Sequence, residues 1–206
     1  MHLLDQRIAG IIILLLWALL VVAKGMATGS LLKDKPQGGV WMWLTHVFNF
    51  LFLLVATPLA AILLIIRRPQ ALDPTPLALG TSGLSAGVWV AGMLLYGARC
   101  ILLAWALVTL RGNYQVGGNA PRASDELATR GPYRFVRHPM YAAALSISLG
   151  LACLTHSLTY LCMFCIYVLL ILLLIPLEEN ALREAYGERY AVYRDAVKKR
   201  LAPPYF

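Results

Sequence analysis

Four long stretches of the chain are almost free of ionisable side chains, and they set its architecture. Residues 8–23 and 40–66 contain no Asp, Glu, Lys or Arg, 84–110 contains only Arg99, and 139–177 contains none. A helix rises about 1.5 Å per residue and the hydrocarbon core of a bilayer is about 30 Å thick, so one crossing takes roughly 20 residues. The last stretch is too long for one crossing and carries a polar break at Thr155-His156-Ser157. It reads as a hairpin of two helices. The pattern predicts an all-α membrane protein with five transmembrane helices, at about 7–26, 42–66, 84–110, 138–155 and 158–177. The proline-rich run RPQALDPTP at 68–76 is a loop, because closely spaced prolines interrupt helix. Beyond the last crossing, Leu182, Tyr186, Tyr190 or Tyr193, and Val197 recur at helical spacing. They predict a C-terminal amphipathic helix over about 178–199, lying along the cytoplasmic interface, packed through its aromatic stripe and ended by Pro203-Pro204.

Composition agrees. With 60% hydrophobic and 14% charged residues, the chain is neither an ordinary soluble globule nor a disordered segment. Its length suits a single integral membrane domain, 1–206. The net charge of +8 could suggest nucleic acid, but its placement suggests topology. Five crossings put fourteen basic residues on one side, from Lys24, Lys33 and Lys35 through Arg111, Arg122, Arg130, Arg134 and Arg137 to the tail. Three, Arg7, Arg67 and Arg68, fall on the other. That bias places the basic side and the C-terminus in the cytoplasm, of the plasma (inner) membrane in a bacterium, and no nucleic-acid motif competes with it. The first helix lacks a small-x-small cleavage site and reads as an uncleaved crossing. Cys100, Cys153, Cys162 and Cys165 all fall in apolar helices. The pair Cys162–Cys165 has no second CxxC or flanking His, so the cysteines read as buried packing rather than a metal site.

The dense polar information lies in two pieces, 111–137 and the tail from Glu178. The predicted hairpin returns both to one membrane face. A site between them would open to water on one side and to lipid on the other, as joining a soluble cofactor to a lipophilic substrate requires. Gly131-Pro132 fixes a turn, and Pro139 suits the first turn of a helix, where its missing N–H is not needed. Arg137 and His138 then lie at a helix N-terminus that favours an anion. Glu178 and Glu179, adjacent carboxylates at a membrane boundary, call for water or a cation. Glu179 and Arg183, at i and i+4, read as a surface pair. Arg99 lies about 16 Å along a helix from Leu110, and a charge that deep is expected to line a polar pocket or meet an anionic headgroup of the substrate. His46 and Asn49 form an i, i+3 patch suited to interhelical hydrogen bonding. Gly117-Gly118-Asn119 is a turn without the residues of a phosphate loop.

The motif Gly131-Pro132-Tyr133 followed by Arg137-His138-Pro139-Met140-Tyr141, then Glu178-Glu179 and Tyr186-Gly187-Glu188-Arg189-Tyr190 with Tyr193, resembles the isoprenylcysteine carboxyl methyltransferase family and the related phospholipid methyltransferases. The resemblance covers about 111–206, making that part the methyltransferase core and 1–110 three further transmembrane helices. It implies S-adenosylmethionine-dependent methyl transfer to a lipophilic acceptor, with membrane lipids as surroundings and no metal. Family binding positions fall on Glu126, Leu127, Ala128, Tyr133, Arg137, His138, Pro139, Met140, Tyr141 and Glu178, with the methionyl carboxylate a candidate anion for Arg137 and His138. No catalytic base is implied; Arg137, His138 and Glu178 are the nearest candidates for a catalytic role. Two departures stand out. Asp125-Glu126-Leu127-Ala128 replaces the family's His-x-Leu-Val, so a contact needing imidazole is lost there. Leu174 replaces an arginine that eukaryotic prenylcysteine enzymes associate with the substrate, which argues against a prenylcysteine carboxylate as acceptor. The competing readings are an NADPH-dependent sterol-reductase-like enzyme and a non-catalytic lipid-binding protein.

Overall fold

The computed structural model describes residues 5–28, 39–73, 82–110, 113, 121 and 124–201. Expectations that rest on Lys33, Lys35, Arg111, Gly117-Gly118-Asn119, Arg122 and Pro203-Pro204 lie outside them. The described residues are helical throughout their regular structure. Helices α1 (Gln6–Thr28) and α2 (Val40–Leu51) are followed by a π-turn (Phe52–Ala56), α3 (Thr57–Ile65) and α4 (Ser82–Leu110). A 3-10 turn (Gly131–Arg134) then leads to α5 (Pro139–Thr155), α6 (Leu158–Tyr186) and α7 (Glu188–Ala196). Among the described residues, four spans are long and apolar enough to cross a membrane: α1, the continuous α2–α3 rod, α4 and α6. The apolar α5 is shorter, at 17 residues.

The hairpin expected at Thr155-His156-Ser157 is present. His156 takes the left-handed conformation (φ 49°, ψ 37°) and ends α5. The loop before α4 then caps α6. Asp73 Oδ1 accepts hydrogen bonds from the Ser157 hydroxyl (2.8 Å) and the Thr159 amide (2.9 Å), while Oδ2 accepts from the Leu158 amide (3.2 Å). These amides are among the four that an α-helix leaves unpaired at its start.

Helices α4 and α5 form the most extensive helix pair, and small residues let their backbones meet. A Cβ at Gly92 would lie 3.0 Å from the Gly150 carbonyl oxygen, and one at Gly150 would lie 3.0 Å from that of Gly92. At the α1–α3 crossing, a Cβ at Gly10 would come within 2.5 Å of the Ala61 carbonyl oxygen. Side chains including Ile13, Leu64, Trp89, Tyr96 and Leu151 fill one core, while Tyr167, Ile171, Leu174 and Ile175 of α6 pack with Met42 and Ala142 in a second. Leu174 is thus a packed core residue.

The tail departs from the expected arrangement. Helix α6 does not stop at Leu177; it runs through Pro176 and both glutamates to Tyr186. The change from apolar to charged side chains at Glu178 marks a change of surroundings, not a break in backbone hydrogen bonding. The break comes at Gly187 (φ 51°, ψ −124°), and α7 ends at Ala196. A single amphipathic helix over 178–199 is therefore replaced by two pieces. Cys162 and Cys165 are exposed on α6 rather than buried, on a face that also presents Ile166, Leu169, Leu172 and Leu173. An apolar outward face is what lipid contact requires.

The Asp73 cap gives a pH-dependent prediction. Burial opposes ionisation of this carboxyl, but its hydrogen bonds from Thr159, Ser157 and Leu158 outweigh that and hold its pKa below 3.8. A depressed folded pKa stabilises the fold above the unfolded value and ceases to do so as pH falls through the folded one. Asp73→Ala should cost about 1 kcal/mol at neutral pH, as loss of a helix cap does. The gap in thermal midpoint between variant and parent should close as the melts are taken below the ordinary carboxylate range.

Candidate functional site

The site begins with a turn that only glycine permits. Gly131 has φ 57°, and a Cβ there would lie 2.6 Å from the Thr109 hydroxyl on α4. The turn seats Pro132 and Tyr133 in the interior and delivers Arg137 and His138 to the start of α5, where His138 is the N-cap residue.

The Arg137 guanidinium is buried and nearly saturated. Its Nε and Nη2 donate to Glu179 Oε1 at 2.9 and 2.8 Å, and its Nη1 donates to the carbonyls of Val197 (2.7 Å) and Lys198 (2.9 Å). The backbone adds two bonds, from the Arg137 amide to the Lys199 carbonyl (2.9 Å) and from the His138 amide to the Arg200 carbonyl (2.8 Å). Arg200 closes the group by donating to Glu179 Oε2 at 3.0 Å. The strap Val197–Arg200 is thus tied across the start of α5 by a buried ion pair and by main-chain bonds. Glu179 is 4% exposed, so the expected surface pair with Arg183 is not formed. A carboxylate this buried takes the strongest cation it can reach, and helix α6 aims it at Arg137.

Glu178, one residue earlier, points elsewhere. Its side chain is 25% exposed, and its Oε2 accepts a 2.5 Å hydrogen bond from the Tyr141 hydroxyl. The His138 ring stacks on Tyr141 with centroids 5.6 Å apart, and it lies between the two carboxylates. Its Nε2 is 3.3 Å from Glu179 and its Nδ1 is 3.9 Å from Glu178. The tail packs beneath: Tyr193 donates to the Tyr133 carbonyl at 2.7 Å, and burial pushes the hydroxyl of Tyr190 up to about 12 and that of Tyr193 upward as well. Both phenols are therefore neutral at physiological pH.

Of these groups, Tyr133, Arg137, His138, Tyr141, Glu178 and Tyr193 border a cavity of about 290 Å³. All ten residues expected to bind a cofactor line it: Glu126, Leu127, Ala128, Tyr133, Arg137, His138, Pro139, Met140, Tyr141 and Glu178. The first three lie in a loop held by two hydrogen bonds, from Asn113 to the Glu126 carbonyl (3.3 Å) and from the Tyr186 hydroxyl to the Asp125 carbonyl (3.2 Å). Leu182, Tyr186 and Tyr193 line the cavity too, so much of the aromatic stripe of the tail faces the site. Arg99 does not join it; it is half-buried on α4 and absent from the lining. The cationic side chain that α1 brings to the wall is Lys24, within the helix rather than in the following loop. His46 and Asn49 contribute from α2, and Asn49 accepts a hydrogen bond from the Tyr167 hydroxyl. From this polar end the cavity continues among Leu20, Leu53, Leu103 and Leu107.

Sequence reasoning missed Glu179, the strap and the contribution of α1 and α2. The i, i+4 spacing to Arg183 pointed Glu179 outward, and carbonyl acceptors leave no trace in side-chain pattern. Arg200, a long way from Arg137 in sequence, was the one available signal.

Removing one partner of a buried ion pair costs about 3–5 kcal/mol. Glu179→Ala should therefore release the strap while the apolar helices stay folded. Limited trypsin digestion would show it as accelerated cleavage after Lys198, Lys199 and Arg200 relative to the parent protein.

Residues 88–189 match the family model described as phospholipid methyltransferase, a segment running from α4 through the cavity-lining loop, α5 and α6 into the start of α7. Comparison with curated proteins found no match. The motif residues around Arg137 and Glu178 lie within the matched segment and converge on one cavity, and the chain belongs to the family of integral membrane methyltransferases that includes the phospholipid methyltransferases.

Proposed function

We propose that the protein transfers a methyl group from S-adenosylmethionine to a lipophilic acceptor, with the Glu178 end of the cavity facing the cytoplasm. The observation that carries this reading is one cavity with two kinds of wall. Its polar end gathers Glu178, Tyr141, His138 and Glu126–Ala128, and beyond them its walls are mainly apolar side chains such as Leu20, Leu53, Leu103 and Leu107. The donor set suits the molecule. Glu178 faces the cavity as a carboxylate whose charge is not consumed by the Arg137 pair, so it can hold an ammonium or sulfonium group.

When bound, S-adenosylmethionine supplies a methyl group already activated by a sulfonium. The work left to the chain is positioning and exclusion of water. Tyr141 fixes the Glu178 carboxylate in place through its hydroxyl, and the stacked His138 ring limits where Tyr141 can move. Arg137 acts through Glu179 and the strap: it holds the start of α5 against the tail and so sets the positions of His138 and Tyr141. Glu126, Leu127 and Ala128 line the same cavity, where main-chain contacts to a planar heterocycle would need no imidazole. The basic side chains near this end, with Arg7, Arg67 and Arg68 at the other, support the cytoplasmic orientation.

Hydrogen bonds to a charged group contribute about 1.5–3 kcal/mol, or roughly ten-fold and more in affinity. Glu178→Gln should weaken S-adenosylmethionine binding, measured by calorimetry on protein in nanodiscs, by about ten-fold or more, with an unchanged thermal midpoint. Incubating native membrane lipids with methyl-labelled donor and tracing the label by mass spectrometry identifies the acceptor class. Binding of NADPH in place of S-adenosylhomocysteine would overturn the proposal.

A further inference from the structure

The α2–α3 rod contains a defect whose cause is legible. Residues Phe52–Ala56 form a π-turn, and the Thr57 amide bonds the Phe52 carbonyl five residues back. In that register the next donor, to the Leu53 carbonyl, would be the amide of residue 58. Residue 58 is proline and has no N–H. An orphaned carbonyl within a membrane costs several kcal/mol unless something else bonds it. Here the Trp17 indole reaches across from α1 and donates to the Leu53 oxygen at 2.7 Å. Pro58 thereby fixes the position of a large side chain on a different helix.

Counted along each helix, the lining residues farthest in sequence from the polar groups are Trp17 on α1, Thr57 on α3, Tyr96 on α4, Ile147 on α5 and Tyr167 on α6, and they mark the end away from Glu178. On α5 the lining runs from His138 to Ile147, about 14 Å at 1.5 Å per residue. The polar protons at this end are already given away. Thr57 donates to the Phe52 carbonyl (2.9 Å), Tyr96 to that of Ile13 (3.4 Å) and Trp17 to that of Leu53. What remains for a ligand is aryl and alkyl surface, which accepts hydrocarbon and penalises a polar group.

We infer that this blind end seats a single apolar chain of the acceptor, and that Trp17, pinned by the π-turn, sets the longest chain the site accepts. The inference rests on the methyl-transfer reading above. It assigns acceptor selection to α1 and α3, both outside the segment matched by the family.

The test uses the full chain in nanodiscs with straight-chain alkyl carboxylates of increasing length as probes, binding being read as the rise in thermal midpoint. The parent protein should show a length beyond which the rise stops growing. Trp17→Leu, and independently Ile147→Ala on the facing wall, should move that limit to longer chains. Each newly admitted methylene should be worth about four-fold in affinity. Pro58→Ala, which restores a donor for Leu53 and frees the indole, should blur the limit. S-adenosylhomocysteine affinity should stay within about two-fold of the parent in every variant. A limit unmoved by both Trp17→Leu and Ile147→Ala, or no response to any chain, overturns the inference while S-adenosylhomocysteine binding preserves the methyl-transfer reading. Absence of S-adenosylhomocysteine binding by the parent overturns both.

Discussion

The buried pair between Arg137 and Glu179 is the constraint on which the site depends. Two charges removed from water at the edge of an apolar bundle must satisfy each other, and together they leave little bonding capacity unused. The arginine spends its remaining donors on the carbonyls of Val197 and Lys198, and the glutamate spends its second oxygen on Arg200. One interaction thus joins the start of α5, the polar end of α6 and the chain beyond α7. Arg137, His138, Tyr141 and Glu178, which border the polar end of the cavity, sit on the first two of those elements.

The two adjacent glutamates show how a helix divides labour. Successive side chains on an α-helix point about 100° apart. That rotation sends Glu179 into the structural network and leaves Glu178 at the cavity, bonded by Tyr141 with His138 alongside. Read as a string, the pair is ambiguous; read on a helix that continues to Tyr186, it separates into a fastener and a contact group. His138, set between them, has a carboxylate on either side.

Much of the helical plan was legible because membrane burial imposes a crude pattern: runs of apolar residues with polar interruptions. The hairpin at His156 and the turn at Gly131 were read from that pattern and from residues whose backbone preferences are strong. The ten residues expected to bind a cofactor were legible through the family resemblance, and all ten border the cavity. The tail was misread because charge composition reports the membrane edge, whereas helix ends are set by backbone hydrogen bonds, here lost at Gly187. Arg99 does not line this cavity, since one-dimensional depth does not say which way a side chain faces. The roles of Lys24 and Trp17 depend on contacts between helices distant in sequence, which no local pattern encodes.

The π-turn also governs how α1 and α3 fit together. An extra residue in one turn shifts every later position of the rod by about 100° around its axis. The face that α3 offers to α1 carries Ala60, Ala61 and Leu64, and it approaches so closely that Gly10 has no room for a side chain. That fit exists only downstream of the added residue. Deleting a single position between Phe52 and Ala56 would swing the small residues away from Gly10, so an insertion or deletion here would change the helix interface and the cavity in one step.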